Sequence, residues 1–118
     1  MEQMTAEGKT PAERKALNEG VFRRANEKLE RAAQDLDLVD DASMIPFLCE
    51  CPRQECREVV LLTLGEYENV RANGRGGLAA LGHEDGSIER VMERNNRFVM
   101  TEKFGAAGDL HAEEDPRG

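Results

Sequence analysis

All three cysteines of the chain lie in one short segment, where Cys49, Cys51 and Cys56 follow the spacing C-x-C-x4-C. Side chains two positions apart on an extended strand point to the same face, so Cys49 and Cys51 can reach one ion. A proline directly after them favours a turn, and Cys56 opens the next extended segment. The segment therefore predicts a β-hairpin, with strands at 45–51 and 56–62, whose tip presents the thiols.

Converging cysteine thiolates are typical zinc ligands, and zinc in structural sites takes four ligands in a tetrahedron, Cys₃His among them. The chain contains two histidines, His83 and His111. We favour His83 as the fourth ligand because it follows an expected strand, whereas His111 lies in an acidic tail. Glu84 could orient the imidazole of His83 or replace it as a ligand. The predicted ligands of one structural Zn²⁺ per chain are Cys49, Cys51, Cys56 and His83.

Other interpretations of the cysteines stay open. They could be redox-active thiols, or buried core residues, since free cysteine is among the most buried residue types. A catalytic zinc is less favoured, because it keeps one position open for water and several thiolates would weaken its Lewis acidity. Segment 49–56 also lacks the P-C-x-x-C element of the zinc nucleobase deaminases.

The charge balance limits the partners that the chain can bind. It has 24 acidic and 16 basic residues, a formal net charge of −8, which argues against non-specific binding to nucleic acid or an anionic membrane. Only 39% of its residues are hydrophobic, so we expect a thin core that a bound metal would reinforce. Residues 1–9 are polar and no segment approaches a transmembrane length. We therefore expect a cytoplasmic protein, in a compartment where thiols stay reduced.

A long helix is predicted near the N-terminus. Thr10 can serve as its N-cap, Pro11 suits the first helical position, and Glu13 completes a capping box. Apolar residues then recur at helical spacing, as Leu17, Val21, Ala25, Leu29, Ala32 and Leu36.

This stripe predicts a helix that ends near Asp37 and packs its apolar face on a sheet. A partner-binding face is the alternative interpretation of the stripe. On the opposite, solvent-facing side we expect favourable i,i+4 pairs such as Glu19 with Arg23.

The rest of the chain predicts short elements. Thr63 and Glu66 form a second capping box, which opens a helix that ends at Ala72. A glycine-rich loop over 74–77 precedes a strand over 78–81. That loop lacks the Lys-Ser/Thr ending of a phosphate-binding P-loop.

A second hairpin is predicted around Asn95-Asn96, from strands at 88–93 and 97–103, with a helix over 87–94 as the competing interpretation. A two-residue turn would place Met92 opposite Val99. Together these elements predict an α+β fold, with a long N-terminal helix on a small, mainly antiparallel sheet that carries the zinc hairpin. We expect a disordered tail at 1–9, one domain at 10–104 and an acidic, flexible tail at 105–118.

Several of these segments together resemble a family of small actinobacterial proteins. The resemblance covers most of the chain and is carried by Phe47–Cys51, Cys56, Leu62–Arg71, Gly82-His83-Glu84, Val91–Arg94 and the ending Asp115-Pro116-Arg117. It implies that the three cysteines and Gly82-His83-Glu84 belong to one recurring CxC-x4-C…GHE pattern. It implies no particular activity.

No catalytic motif stands out, so we expect a non-enzymatic, zinc-stabilised interaction or regulatory protein that acts through a protein partner. The first helix or the exposed face of the zinc-bearing sheet would bind that partner. A thiol-based redox or zinc-release sensor is the first alternative, and a small zinc enzyme with an open coordination site is the second. The sequence leaves the partner and the oligomeric state open.

Overall fold

The computed structural model describes residues 9–36 and 40–117; positions 1–8 of the predicted tail at 1–9 and the predicted helix end at Asp37 lie outside these residues. The helices are α1 (Pro11–Gln34), α2 (Leu64–Arg71) and α3 (Gly105–Glu113), and the strands are β1 (Ile45–Leu48), β2 (Val59–Leu62), β3 (Gly76–Ala79), β4 (Glu89–Arg94) and β5 (Val99–Lys103). Strands β1 and β2 form one antiparallel pair, and the other three strands form an antiparallel sheet in the order β3-β5-β4. The predicted α+β fold is confirmed, with two sheets in place of one.

Both predicted capping boxes are present. The N–H of Glu13 donates to the Thr10 hydroxyl over 3.1 Å, and the Thr10 N–H donates back to the Glu13 carboxylate over 3.0 Å. Thr63 and Glu66 repeat this exchange at 3.1 and 2.9 Å. Each box satisfies N–H groups that a helix start leaves without intrahelical partners, so both helices begin where the sequence predicts.

The predicted packing face of α1 is wrong. The three largest exposed members of the apolar stripe are Val21, exposed by 55%, Leu29, by 36%, and Leu36, by 60%, and Ala32 is exposed as well. The buried face is instead small and polar, and its residues are Ala16, Glu19, Gly20, Arg23, Asn26, Glu30 and Ala33. The pair expected in solvent, Glu19 and Arg23, is therefore buried. The reason is that α1 packs on main-chain carbonyls and on a lysine, which require polar partners.

Asn26 joins α1 to β1, because its side-chain amide forms the pair of hydrogen bonds that a neighbouring strand would form with β1. Its side-chain amide donates to the Leu48 carbonyl and accepts from the Leu48 N–H, each over 2.8 Å. The same amide donates to the buried carboxylate of Glu50 over 2.7 Å. Asn26 thus satisfies the outer edge of β1 and a buried acid together.

Replacing Asn26 with alanine should lower the free energy of unfolding by about 3 kcal/mol, because the half-buried main chain of Leu48 and the buried carboxylate of Glu50 lose a partner. Urea denaturation monitored by circular dichroism would measure the loss. Asn18→Ala is the matched control in the same helix, since Asn18 bonds only exposed or half-buried loop groups; we expect it to cost less than about 1 kcal/mol. Equal losses in the two variants would contradict this role of Asn26.

The predicted flexible tail at 105–118 is also wrong, because α3 occupies its first part and packs against α1. Ala107 and His111 are buried there, and the His111 carbonyl accepts from Arg23 over 2.6 Å. A Cβ atom at Gly108 would lie 2.6 Å from the Lys103 carbonyl oxygen, so this glycine permits the close approach of α3 to the end of β5. Residues of α3 therefore belong to the domain.

Part of the expected glycine-rich loop is strand β3. A Cβ atom at Gly76 would lie 2.8 Å from the Val70 carbonyl oxygen, so the close approach of α2 requires glycine there. Beyond the glycines, the Leu78 carbonyl accepts from the Glu50 N–H over 2.7 Å. This bond connects the segment after β1 to β3, and so joins the two sheets at one end.

The β4–β5 hairpin exists, but its predicted register is wrong. Arg94 pairs with Val99, and a bulge at Met92 shifts the remaining pairs. The side chain of Asn95 accepts from the N–H groups of Arg97 and Phe98 over 2.8 and 2.9 Å, which closes a longer turn than two residues would form.

The apolar core lies between β1–β2, α2 and β3. Phe47 and Tyr67 stack at its centre, with ring centroids 4.3 Å apart. The core cluster comprises Phe47, Cys49, Cys51, Val60, Leu62, Tyr67, Val70, Leu78, Ala79 and Phe98. Among residues 9–36 and 40–117, no helix has the length and apolar character that crossing a bilayer requires.

Candidate metal centre

The sequence prediction placed the cysteines on strands at 45–51 and 56–62, but β1 ends at Leu48 and β2 begins at Val59, so all three cysteines lie in the loop between them. Pairing extends one step into the loop, since the Cys49 N–H donates to the Glu58 carbonyl over 3.0 Å. The antiparallel β1–β2 pair thus holds both ends of the loop together. Its cysteines face the segment that follows β3.

His83 reaches the cysteines from that segment. Gly82 has a φ of +82°, a conformation that glycine adopts at little cost, and the His83 N–H donates to the Ala80 carbonyl over 2.9 Å. This turn directs the imidazole back over the end of β3.

The ligand atoms of Cys49, Cys51, Cys56 and His83 all lie within 4.8 Å of one another. The Nδ1 atom of His83 is 3.5 Å from Sγ of Cys49 and 3.6 Å from Sγ of Cys56. The four predicted ligands are therefore brought together, in an arrangement compatible with a metal site.

Main-chain N–H groups point at the sulfur atoms. The Ala80 N–H donates to Sγ of Cys49 over 3.2 Å, and the main-chain N–H of Arg53 acts to lower the pKa of the Cys51 thiol. Such donors favour the thiolate over the thiol. Burial acts in the opposite direction and raises the pKa of both Cys49 and Cys51. A bound cation would remove that conflict, because its charge stabilises adjacent thiolates.

The centre has a buried side and an open side. Cys49 and Cys51 are buried, whereas Cys56 and His83 are half-buried. On the open side a polar cavity of about 310 Å³ borders the centre, lined by Arg53, Glu55, Cys56, Arg57, Glu58 and His83. Small solutes can therefore approach the centre from one direction.

Neither alternative ligand belongs to this group. His111 is buried elsewhere, with Nε2 3.2 Å from the Gly76 carbonyl oxygen, and burial together with Lys103 and Arg23 lowers its pKa to about 2. The Glu84 carboxylate accepts from Arg94 over 2.6 Å. Of the two roles considered for Glu84, orienting His83 or replacing it, its described contacts support neither.

A buried cluster of charged side chains was missed by sequence reasoning. Lys103 is fully buried and pairs with the carboxylates of Glu19 and, over 3.2 Å, Glu89. A Cβ atom at Gly77 would lie 2.8 Å from the Lys103 ammonium, so glycine makes the space for it. The alternation of buried and less buried residues along β5 could have indicated this cluster, because it places Lys103 on the same inward face as Val99 and Thr101.

Comparisons with known proteins identify no relative of this chain. No family model matches the chain, no curated protein matches it, and no solved structure does so. The resemblance to small actinobacterial proteins stays a prediction.

Proposed function

We propose that the protein is a non-enzymatic interaction module stabilised by one Zn²⁺, which Cys49, Cys51, Cys56 and His83 hold. The carrying observation is the spacing of sulfur and nitrogen. A tetrahedron with Zn–S of about 2.3 Å and Zn–N of about 2.05 Å separates sulfur from nitrogen by about 3.6 Å. The observed separations from His83 Nδ1 are 3.5 and 3.6 Å.

The donor set supports zinc over harder ions. Thiolate and imidazole donors suit zinc, whereas calcium and magnesium take oxygen donors. Four protein ligands also fill a tetrahedron, which supports a structural ion over a catalytic one that keeps a position for water.

The ion would link two distant parts of the chain. The cysteine loop belongs to the β1–β2 pair, whereas His83 follows β3 of the other sheet. The Glu50 N–H bond to the Leu78 carbonyl joins the two sheets at this end. A zinc ion would therefore fix the relative position of the two sheets, as structural ions do in small domains.

Exposed apolar surface supports an interaction role. The cross-strand pairs Pro46–Leu61 and Leu48–Val59 lie on either side of the buried pair Phe47–Val60. Because side chains alternate between the two faces of a strand, both flanking pairs lie on the face turned away from the core. Val59 is 54% exposed and Leu61 is 47% exposed. A contiguous exposed apolar surface of this kind is typical of a site that another protein covers.

Elemental analysis of the reduced, purified protein should find one zinc per chain. Because each removed ligand leaves the ion with three protein donors, His83→Ala and Cys56→Ser should each lose most of that zinc. Glu84→Gln is the matched control, since its carboxylate contacts Arg94 and it should keep the full content. Absence of metal in the wild-type protein, or equal zinc in all variants, would contradict the proposal.

A redox sensor is the second candidate function, and the open side of the centre favours it. The half-buried Cys56 borders a cavity that a peroxide can enter. Its thiolate would attack hydrogen peroxide to give a sulfenic acid and hydroxide. A second thiolate would then displace hydroxide and form a disulfide, releasing zinc. The two electrons pass from the thiolates to the peroxide.

Zinc release under mild peroxide, followed with a chromogenic chelator, would distinguish the candidates. The sensor predicts release in step with disulfide formation, and full recovery of zinc binding after reduction. Retention of the zinc without any disulfide, at peroxide concentrations that oxidise free cysteine, would contradict it.

A further inference from the structure

The charges of α1 are sorted by face. Three carboxylates, those of Glu19, Glu27 and Glu30, are buried or half-buried, and Glu13 is used in the capping box. The exposed charged residues of the helix are all basic: Arg14, Arg24, Lys28 and Arg31. A chain of net charge −8 thus presents a basic helix face.

The inward carboxylates are already paired and do not neutralise that face. Glu27 accepts from Arg71 over 3.1 Å and from Arg117 over 2.7 Å. Arg117 also donates to Glu30 over 2.8 Å. Of the exposed bases, Arg24 approaches Glu114 only at 4.0 Å, with both side chains 48% exposed, which makes a weak surface pair.

Apolar residues lie between these bases. We define the outer face of α1 as Val21, Arg24, Ala25, Lys28, Leu29, Arg31 and Ala32. At about 100° per residue these positions span an arc of about 160° on one side of the helix. The face therefore combines an apolar stripe with a basic margin.

A cavity adjoins the outer face. It has a volume of about 400 Å³, and its lining residues are Asn18, Val21, Phe22, Leu48, Gln54, Cys56 and Arg57. Through Val21 it meets the outer face of α1, and through Leu48 it meets the exposed face of the β1–β2 pair. A mainly apolar cavity beside an exposed apolar face gives a partner a place to bury an anchoring side chain.

We propose that the outer face of α1 binds an acidic amphipathic helix of another protein, which inserts one large apolar side chain into this cavity. The inference rests on the proposed interaction function and specifies its partner. The apolar stripe fits the apolar side of such a helix, and Arg24, Lys28 and Arg31 fit acidic residues at its margins.

Other occupants fit less well. A two-fold contact between two copies brings the same patch of each copy together. The basic face of one copy would then meet the basic face of the other, and the like charges would repel. An anionic bilayer has no discrete side chain that could fill the cavity. The net charge of −8 on the whole chain would also repel an anionic bilayer, despite the basic residues on α1. Nucleic acid is disfavoured by the same net charge and by the apolar stripe.

Site-specific crosslinking in source cells tests the proposal. A photoreactive residue replaces Ala25 in the full zinc-bound chain, and mass spectrometry sequences the peptide that is attached to it. We expect a segment of another protein with apolar residues at helical spacing and acidic residues between them. A synthetic peptide of that segment should bind the wild-type chain and should bind about tenfold or more weakly to Lys28→Glu/Arg31→Glu, because like charges would then meet.

The control variant is Arg90→Glu/Arg94→Glu on β4, which changes the net charge equally but leaves the outer face intact. It should bind the peptide as the wild type does. An equal loss in both variants, a captured segment without acidic residues, or attachment to lipid, nucleic acid or a second copy would overturn the proposal.

Failure here is distinguishable from failure of the interaction role. The same photoreactive residue at Leu61 samples the exposed face of the β1–β2 pair. A partner captured at Leu61 but not at Ala25 would keep the interaction function and overturn the helix-face inference. No capture at either position would contradict both.

Discussion

Removal of the proposed Zn²⁺ is expected to unfold the domain, even in reducing buffer. Structural zinc sites contribute apparent binding free energies of about 10–16 kcal/mol at neutral pH, whereas a domain of this size is stable by about 5–15 kcal/mol in total. Loss of the ion should therefore remove most or all of the folding free energy. Chelation by EDTA with a thiol reductant, followed by circular dichroism, would measure it, and added Zn²⁺ should restore the native signal.

The local reason is that two of the proposed ligands also belong to the core. Cys49 and Cys51 are no more than 1% exposed and pack in the same cluster as Phe47 and Leu78. Without a cation, these thiols keep a raised pKa and no longer hold the β1–β2 loop against His83. Release of the loop would expose that side of the core.

The control for chelation is Glu84→Gln, which should bind zinc and unfold on its removal as the wild type does. Cys51→Ser should resemble the chelated protein even in excess zinc. A chelated wild type that melts within about 5 °C of the zinc-bound form would show that the ion adds little more than about 1 kcal/mol, and would contradict a structural role.

The parts of the fold that could be predicted from sequence depend on local chemistry. Capping boxes join residues three positions apart, so the sequence near Thr10 and Thr63 predicts the start of each helix without information from the rest of the chain. The grouping of Cys49, Cys51 and Cys56 with His83 could be predicted for a related reason, since cysteine and histidine are few in the sequence and the donors that suit a soft metal restrict the choice.

The face that α1 buries could not be predicted, because amphipathic patterns assume an apolar interior. Here the helix packs against the Leu48, Gly74 and His111 main chains and against Lys103, so Asn26 and Arg23 point inward. Which carbonyls need donors depends on tertiary structure. The predicted apolar stripe instead leaves Val21, Leu29 and Leu36 exposed, and this exposure is an argument for the partner proposed above.

Composition misled the prediction for the C-terminal segment. Residues 105–118 are small and acidic, which is typical of a flexible tail. Small size instead permits close packing, as at Gly108, and acidic residues pair with bases that the rest of the chain has buried. Arg71, for example, bonds Asp115 and Glu27. These pairings become visible only when the buried bases are known.

The buried lysine provides the other large expected effect. Lys103→Met should lower the free energy of unfolding by about 3–5 kcal/mol, because it leaves a buried carboxylate without its cation. Most of the effect comes from Glu19, because Lys103 is its only ion-pair partner among the described residues. Glu89 keeps bonds from the Thr101 hydroxyl and the Asp85 N–H, over 3.3 and 2.9 Å. Urea denaturation of the zinc-bound proteins would measure the difference.

The pH dependence of that loss follows from Glu19. Burial raises its pKa from 4.5 to about 8, although Lys103 opposes the rise. A carboxyl that binds its proton more tightly when folded stabilises the fold below pH 4.5, and this contribution is lost as the pH rises through about 8. Lys103→Met removes the opposing charge, so the variant should lose more stability relative to wild type at pH 8 than at pH 6. Comparison at each pH cancels the acid sensitivity of zinc binding, which both proteins share.

Two further variants separate a buried ion pair from a simple loss of packing. Glu19→Met/Lys103→Met removes both charges at similar volume, and it should recover most of the stability that Lys103→Met loses, because replacement of a whole buried pair by apolar residues is often neutral or stabilising. Arg90→Met breaks the exposed pair with Glu102 on the neighbouring strand and should cost less than about 1 kcal/mol. If the double variant were as unstable as Lys103→Met, the loss would come from the lysine methylenes or from the geometry of β5, and the unpaired Glu19 carboxylate would not be its cause.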